Sequence, residues 1–306
     1  MLPPGIFLWE SGFEGMVTPA CPESLSVFHA SWAHDIGSFG PWSDSINING
    51  LGRFLKSPKV CETTTVVTGS SVTTMTVARM LAEQGVLGEW GSVVSVEQSQ
   101  GRGQLRRPWV SSPGNLHVSM ILPAAPTNGA WAESLRYLLP LVVGYIYSKT
   151  LSELGANIRI KWPNDLLQGD KKIGGMLIEE KNGLVILGLG INLAESPSDE
   201  QMREDCSVSA GVLQISDHDM GALGLWEILV NRGKSMYEIL LDEFDPPSFI
   251  SEVANKLAWF GRTVQVREGE SVSYNAIIIG ISPEGGLVIS RDGKEDVLIS
   301  GSILPL

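Results

Sequence analysis

Hydrophobic and polar residues change period along this chain, and the changes mark its elements. Over Asn115–Leu122, Leu116, Val118 and Met120 alternate with polar residues, the two-residue period of a strand with one buried face. Thr63–Thr68 is β-branched, and Ser92–Val96 is a short apolar run; both predict buried strands. Between them Val77, Met80 and Leu81 share one face of a helix predicted over Thr74–Gln84, with Gly85 as its stop. From Trp131 to Leu154, Leu135, Leu138, Leu139, Val142, Val143 and Ile146 predict a long helical region kinked at Pro140. Three strands follow at Arg159–Trp162, Lys172–Glu180 and Leu184–Ile191, the last two joined as a hairpin through Lys181-Asn182-Gly183. Residues 222–245 and 246–257 read as helices.

From Gly261 onward the runs shorten. Thr263–Arg267, Tyr274–Ile281, Leu287–Ser290 and Asp296–Ile299 are separated by glycine turns, the pattern of a small β-barrel. At the other end no period persists over residues 1–60, which are rich in Pro, Gly, Ser and aromatics. The expected organisation is therefore an irregular extension of unknown role at 1–60, an α+β domain at 61–257 and a small all-β module at 258–306.

Composition narrows the class. The chain has 306 residues, enough for a core that needs no disulfide or metal. Its 22 basic and 34 acidic residues leave a net charge of −12, which argues against a nucleic-acid backbone as the main partner. The three cysteines, Cys21, Cys61 and Cys206, form no Cys-x-x-Cys pair and read as free thiols in a reducing cytoplasm. His29, His34, His117 and His218 carry no zinc-ligand pattern. Met1–Gly5 lacks a basic leader region, and the most apolar stretch, Leu138–Tyr147, is shorter than the ~20 residues that a bilayer span needs. Neither a secretory leader nor a membrane partner is expected.

Three blocks carry candidate chemistry. Gln98-Ser99-Gln100-Gly101-Arg102-Gly103-Gln104-Leu105-Arg106-Arg107-Pro108-Trp109 joins two glycines to three arginines after a buried strand. Glycine lets backbone approach a phosphate and arginine offers it a planar fork, so this is an anion clamp or else an exposed basic loop. Lys161-Trp162-Pro163-Asn164-Asp165 ends a strand. It either holds an ammonium rigidly toward a pocket, with Asp165 available to Mg²⁺, or is a strand-ending turn. Gly188-Leu189-Gly190-Ile191-Asn192 puts glycines inside an apolar strand, where a ligand or a neighbouring element approaches the backbone.

With Gly114–Ser119 (Gly-Asn-Leu-x-x-Ser) and Lys172–Glu179 (Lys-x-Gly-Gly-x-Leu-x-Glu), these blocks resemble in order and spacing the biotin protein ligase family. The resemblance covers roughly residues 65–245, and the C-terminal module resembles the SH3-like domain that follows the family's catalytic domain. The family's optional DNA-binding domain is not recognisable in 1–60. The resemblance implies a catalytic domain of the biotin/lipoate ligase type, a mixed β-sheet with helices on one side, and a two-step reaction. Biotin's carboxylate attacks the α-phosphate of ATP, assisted by Mg²⁺, and the acyl group then passes from biotinyl-adenylate to a lysine of a carboxylase's biotin carrier domain. It leaves a homodimer open. By position, the biotin contacts fall on Thr73, Thr74, Met75, Gln98, Gly101, Arg102, Gly103, Gln104, Trp109, Lys161 and Gly175. The nucleotide contacts fall on Arg102, Arg107, Asn164, Lys172, Gly188, Gly190 and Asn192. Lys161 and Arg102 are the expected catalytic cations, and Asp165 the candidate Mg²⁺ ligand.

Two departures stand out. Gln104-Leu105-Arg106 replaces the family's Arg-Arg-Gly or Arg-x-Gly, so one cation is lost at Gln104 and Arg106 is left as its partial substitute. Met75 cannot supply the amide that the family places after its Ser-Thr pair. Two other activities fit part of this pattern: a lipoate or octanoate transferase of the same fold, and a non-catalytic biotin-binding regulator. Gln98, Thr73 and the intact Lys161–Asp165 block favour biotin ligation.

Overall fold

A computed structural model describes residues 1–198, 208–216, 220–269 and 272–306, with the backbone alone at Arg106. Cys206 and His218 lie outside the described residues, as does the Arg106 side chain. The chain forms two compact units: Met1–Ala124 with Gly175–Glu195 and Asp217–Arg232, and Ala125–Gly174 with Ser196–Ser216 and Gly233–Leu306.

The first unit is a mixed sheet. Its strands are β1 (Gly5–Trp9), β2 (Asp44–Ile48), β3 (Gly52–Lys56), β4 (Thr64–Ser71), β5 (Ser92–Gln98) and β6 (Leu116–Leu122). β9 (Lys171–Lys181), which begins in the second unit, and β10 (Leu184–Ile191) complete it, in the order β2-β3-β1-β4-β5-β6-β10-β9. β1 and β5 run parallel to β4, whereas β1–β3, β2–β3, β5–β6 and β6–β10 are antiparallel. Helix α3 (Thr74–Glu83) lays Val77, Ala78 and Leu81 into a core built from Phe7, Trp9, Phe54, Val66, Val93, Ile121 and Ile186.

Residues 1–60 are therefore not irregular. β1 lies between β3 and β4, and Trp9 stacks on Phe54 at 5.3 Å while its indole N–H donates to the Leu51 carbonyl at 2.8 Å. All five β1 positions are buried, so the strand has no polar face to alternate with and shows no period. The β2–β3 hairpin did leave a signal, Asn49-Gly50, of the kind that favours a tight turn. Helices α1 (Pro22–Ser26) and α2 (Ala30–Phe39) lie between β1 and β2. The Asp35 carboxylate of α2 accepts the backbone N–H groups of Leu223 and Gly224 at 2.8 and 3.3 Å, at the start of α5 (Ala222–Glu243). Burial nevertheless pushes the Asp35 carboxyl up to about 6, against those two hydrogen bonds.

The second unit contains α4 (Leu135–Glu153), which runs through Pro140 and is buried nearly all round. β7 (Ile158–Lys161) pairs antiparallel with β8 (Asp165–Gln168), a four-residue strand that sequence periodicity missed. Helix α6 (Pro246–Ala254) sets Phe249 against Trp131 and Tyr145. The C-terminal module is a five-stranded antiparallel sheet of β11 (Thr263–Glu268), β12 (Val272–Ile281), β13 (Leu287–Arg291), β14 (Lys294–Leu298) and β15 (Ser302–Pro305). Its order is β14-β13-β12-β11-β15, and among the described residues β14 and β15 do not pair. The expected barrel is thus an open sheet, and β15 is a strand that the sequence pattern did not show.

Candidate active site

The first unit gathers a cluster of neutral polar groups at the N-terminus of α3. Thr73 is the N-cap, its hydroxyl accepting the Thr76 N–H at 3.0 Å. The next N–H, of Thr74, is one of the amides a helix start leaves without an internal partner, and Gln98 Oε1 at the end of β5 accepts it at 2.9 Å. The same oxygen lies 3.2 Å from the Thr74 hydroxyl, which stands 2.8 Å from the Ser119 hydroxyl on β6. An amide oxygen can only accept, so Thr74 donates to Gln98 and Ser119 donates to Thr74. Gln98 Nε2 donates to Ser111 Oγ at 3.1 Å, which fixes the amide's orientation. Thr73, Thr74 and Ser119 are buried, and Gln98 is half-buried.

Strand β10 lies beside this cluster, and its glycines leave room. A Cβ on Gly190 would sit 2.5 Å from the Trp109 indole ring, and one on Gly188 would sit 3.1 Å from Met75 Cε. Met75, expected at a biotin contact, is thus packed against a glycine strand. The loop before Trp109 is pinned at its base by Trp109 N–H to Gly101 O at 2.9 Å and Gly103 N–H to Arg107 O at 2.8 Å. A Cβ on Gly101 would collide with Ser111 Oγ and the Trp109 carbonyl oxygen, so the tight base requires glycine. At its tip, Gln104–Arg106 forms one short turn with Leu105 at φ +55°; Arg102, Gln104, Leu105 and Arg107 are exposed.

Beyond β10, Asn192 is buried. The following segment is held by Asn115, whose Oδ1 accepts the N–H groups of Leu193, Ala194 and Glu195 at 2.8, 2.8 and 3.2 Å. Asn115 stood in the quoted Gly-Asn-Leu motif without a role. The sequence carries no signal for Ser111, and it shows His117 only as a histidine without zinc-ligand spacing at an unspecified position of that motif.

The second unit holds a charged cluster. Lys161 ends β7 and Asp165 opens β8, directly across the hairpin. Lys161 Nζ is 3.1 Å from Asp165 Oδ2, and Lys172 Nζ of β9 is 2.6 Å from Asp165 Oδ1. Burial alone would raise the Asp165 carboxyl, but the Lys172 and Lys161 ammonium groups outweigh it and hold it below the usual carboxylate range. The intervening Trp162 is anchored by its indole N–H to the Gly285 carbonyl at 2.9 Å, so the C-terminal sheet's β12–β13 turn buttresses this block. Asn164 is half-buried in the same turn, and Gly175 is half-buried on β9.

Both Asp165 oxygens are thus taken by ammonium groups, which does not suit the Mg²⁺ role offered to it. Among the described residues no cluster of three His, Cys, Asp or Glu could hold a metal ion.

Residues 72–193 match the model of the biotin/lipoate A/B protein ligase family. The chain is 27% identical to the bifunctional ligase/repressor BirA of Escherichia coli, over 92% of this chain and 90% of that protein. It is 24% identical to the biotin–[acetyl-CoA-carboxylase] ligase of Paracoccus denitrificans, over 69% of this chain and 88% of that one. In fold it is similar to the biotin protein ligase of Aquifex aeolicus solved with biotin and ATP, with a TM-score of 0.61 and 24% identity, covering 78% of this chain and 97% of that one. Residues 72–193 thus carry a domain of the biotin/lipoate A/B protein ligase type, and over most of its length the chain is similar to biotin protein ligases.

Proposed function

We propose that this protein activates biotin with ATP and transfers it to a lysine of a biotin carrier domain of a carboxylase. The observation that carries the reading is the pairing of chemistries. One buried cluster, Thr74–Gln98–Ser119, offers neutral donors and acceptors suited to a cyclic urea. The other, Lys161–Asp165–Lys172, carries two ammonium groups and one carboxylate, a net positive charge suited to phosphate and carboxylate oxygens.

In the first step a biotin carboxylate oxygen attacks the α-phosphorus. The acyl–phosphate bond forms, the bond to the β,γ-phosphates breaks, and pyrophosphate leaves. Two anions must meet, and Lys161, held in place by Asp165, is the cation that lowers that repulsion. Arg102 keeps its expected role as a second cation through its place in the exposed loop. Mg²⁺ belongs to this reading as the counter-ion that ATP carries in, not as an ion held by Asp165. The 101–109 loop shields the mixed anhydride from water. In the second step the carrier's lysine amine attacks the acyl carbon and AMP leaves. Asn192 serves the nucleotide side and Trp109, Thr73, Thr74 and Gln98 the biotin side, while Gly188 and Gly190 give Met75 and Trp109 the room to pack there. No described helix is long and apolar enough to cross a membrane. ATP as substrate and the free thiols of Cys21 and Cys61 fit a cytoplasmic enzyme.

Exchange of labelled pyrophosphate into ATP tests the reading. Exchange that requires biotin is the expected result. Exchange only with lipoate or octanoate would overturn it in favour of the related transferase, and biotin binding without exchange in favour of a regulatory binder.

A further inference from the structure

His117 is one of the most buried polar residues of the first unit, at 1% exposure, and no step above uses it. Its neighbours place it in the neutral cluster. Ser119 reaches Thr74, and side chains two residues apart on a strand share a face, so His117 lies on that face of β6. Across the ladder Gly190 stands opposite His117 and Gly188 opposite Ser119. The Trp109 ring covers Gly190 on the same face, because that is where a Gly190 Cβ would strike it. His117 is therefore walled by Gly190, Trp109 and Ser119.

The imidazole's protonation follows from one hydrogen bond. Nε2 lies 3.1 Å from the Ser112 carbonyl oxygen, which can only accept, so Nε2 carries the hydrogen. Burial lowers the ring's pKa to about 4, which keeps it neutral at pH 7 and leaves Nδ1 an acceptor. Nδ1 is buried and has no hydrogen-bond partner among the described residues. An acceptor left so costs about 1–3 kcal/mol. The adjacent Ser119 hydroxyl is already committed to Thr74, so Nδ1 is left open to a donor on a bound molecule.

Biotin's carboxylate and ring sulfur have no hydrogen to give; its cyclic urea has two N–H groups. We propose that His117 Nδ1 accepts a hydrogen bond from a ureido N–H of bound biotin and so selects a cyclic urea over rings that lack such a donor. This rests on the biotin-ligase reading above.

Two substitutions separate the ring's two nitrogens. His117→Gln keeps a donor at the reach of Nε2 but removes the δ acceptor, whereas His117→Asn keeps an acceptor near Nδ1 and loses the bond to Ser112. In biotin-dependent exchange, His117→Gln should raise KM for biotin about tenfold or more with KM for ATP unchanged. His117→Asn should stay within about threefold of the wild type, on the same premise that only the lost acceptor costs binding. An unchanged KM for biotin in His117→Gln, an equal rise in both variants, or a rise in KM for ATP instead would each overturn the inference. The wild-type protein supplies a check that needs no variant: with ¹⁵N-labelled histidine, the Nδ1 resonance of His117 should move on adding biotin and stay still on adding ATP alone. The opposite response, or none to biotin, overturns the assignment. A wild type without biotin-dependent exchange would instead bring down the function reading itself.

Discussion

The Thr74–Gln98–Ser119 cluster and the Lys161–Asp165–Lys172 cluster bury polar groups in two different ways. The first is neutral throughout: each polar group hands a hydrogen bond to the next, and no charge is desolvated. The second places a carboxylate between two ammonium groups, with Lys161 at 7% and Asp165 at 9% exposure. A neutral chain is inexpensive to keep dry and can tell donors from acceptors, which suits recognition of an uncharged ring. A buried ion cluster survives only while each charge keeps an opposite partner, but it holds an ammonium rigid, which suits stabilising charge that builds up during a reaction. The two clusters should therefore fail differently when altered.

The largest effect is expected at the charged cluster. Asp165→Ala removes the carboxylate from between Lys161 and Lys172 and should cost about 3–5 kcal/mol of stability, measured by urea unfolding. A loss below about 1 kcal/mol would place this cluster with exposed ion pairs and dissolve the contrast. Lys161→Ala is gentler on the fold, because Asp165 keeps Lys172. It should nevertheless slow biotin-dependent exchange by on the order of 10²–10³, read as kcat, with the melting temperature nearly unchanged. Retained exchange would remove Lys161 from the chemistry.

Acid should separate the clusters next. The His117 pKa is lowered to about 4 in the fold against 6.5 for the free ring. The unfolded chain therefore takes up that proton first, and the stability His117 contributes is present above pH 6.5 and lost as pH falls toward 4, by about 3 kcal/mol. Asp165 is held below its ordinary value of 3.8, so the charged cluster weakens only as pH falls further. Asp35, raised to about 6, works in the opposite sense over the same window, since the folded state takes its proton first. Unfolding free energy measured from pH 7 to 4.5 in Asp35→Asn isolates the histidine. A flat profile there would show that the neutral cluster is not the acid-sensitive one.

At the neutral cluster the expected change is in binding. Thr74→Val keeps the volume and the backbone bond to Gln98 but removes the hydroxyl between Gln98 and Ser119. KM for biotin should rise about tenfold while kcat holds, since a hydrogen bond of this kind is worth about 1 kcal/mol and a stranded partner somewhat more. A fall in kcat at constant KM would mean that this cluster, too, acts on the reacting atoms.

The two clusters were not equally legible in the sequence. Lys161–Asp165 is one uninterrupted block at a strand end, so its residues announced themselves together, although the sequence offered Asp165 to a metal and the fold gives it to two lysines. Lys172 comes from the next strand, and nothing local says that its ammonium returns to Asp165. The neutral cluster is assembled from α3, β5, β6 and the loop at Ser111, and serine, threonine and histidine inside strands carry no pattern of their own. α3 and the β9–β10 hairpin were readable because one face of each is wetter than the other. β6 was readable although all seven of its positions are buried, because polar His117 and Ser119 alternate with its apolar residues. β1 was not, because its buried positions include no polar residue to alternate with, and β8 and β15 were too short to show a period.

The smallest effect is expected at the loop that follows the neutral cluster. Gln104 stands exposed where the family pattern has arginine, beside Leu105, which presents an apolar side chain at positive φ. This loop is closed at its glycine-dependent base and has one cation fewer at its tip, so under the proposed function it would cover the adenylate with less charge to hold the phosphate. Gln104→Arg should lengthen the lifetime of bound biotinyl-adenylate after dilution by roughly threefold to tenfold, the worth of one partly exposed charge-assisted contact. Stability and KM for biotin should not change, because neither cluster touches this side chain. An unchanged lifetime would mean that retention is set at the loop's base and by Trp109 over Gly190, placing adenylate release with the neutral cluster rather than with charge.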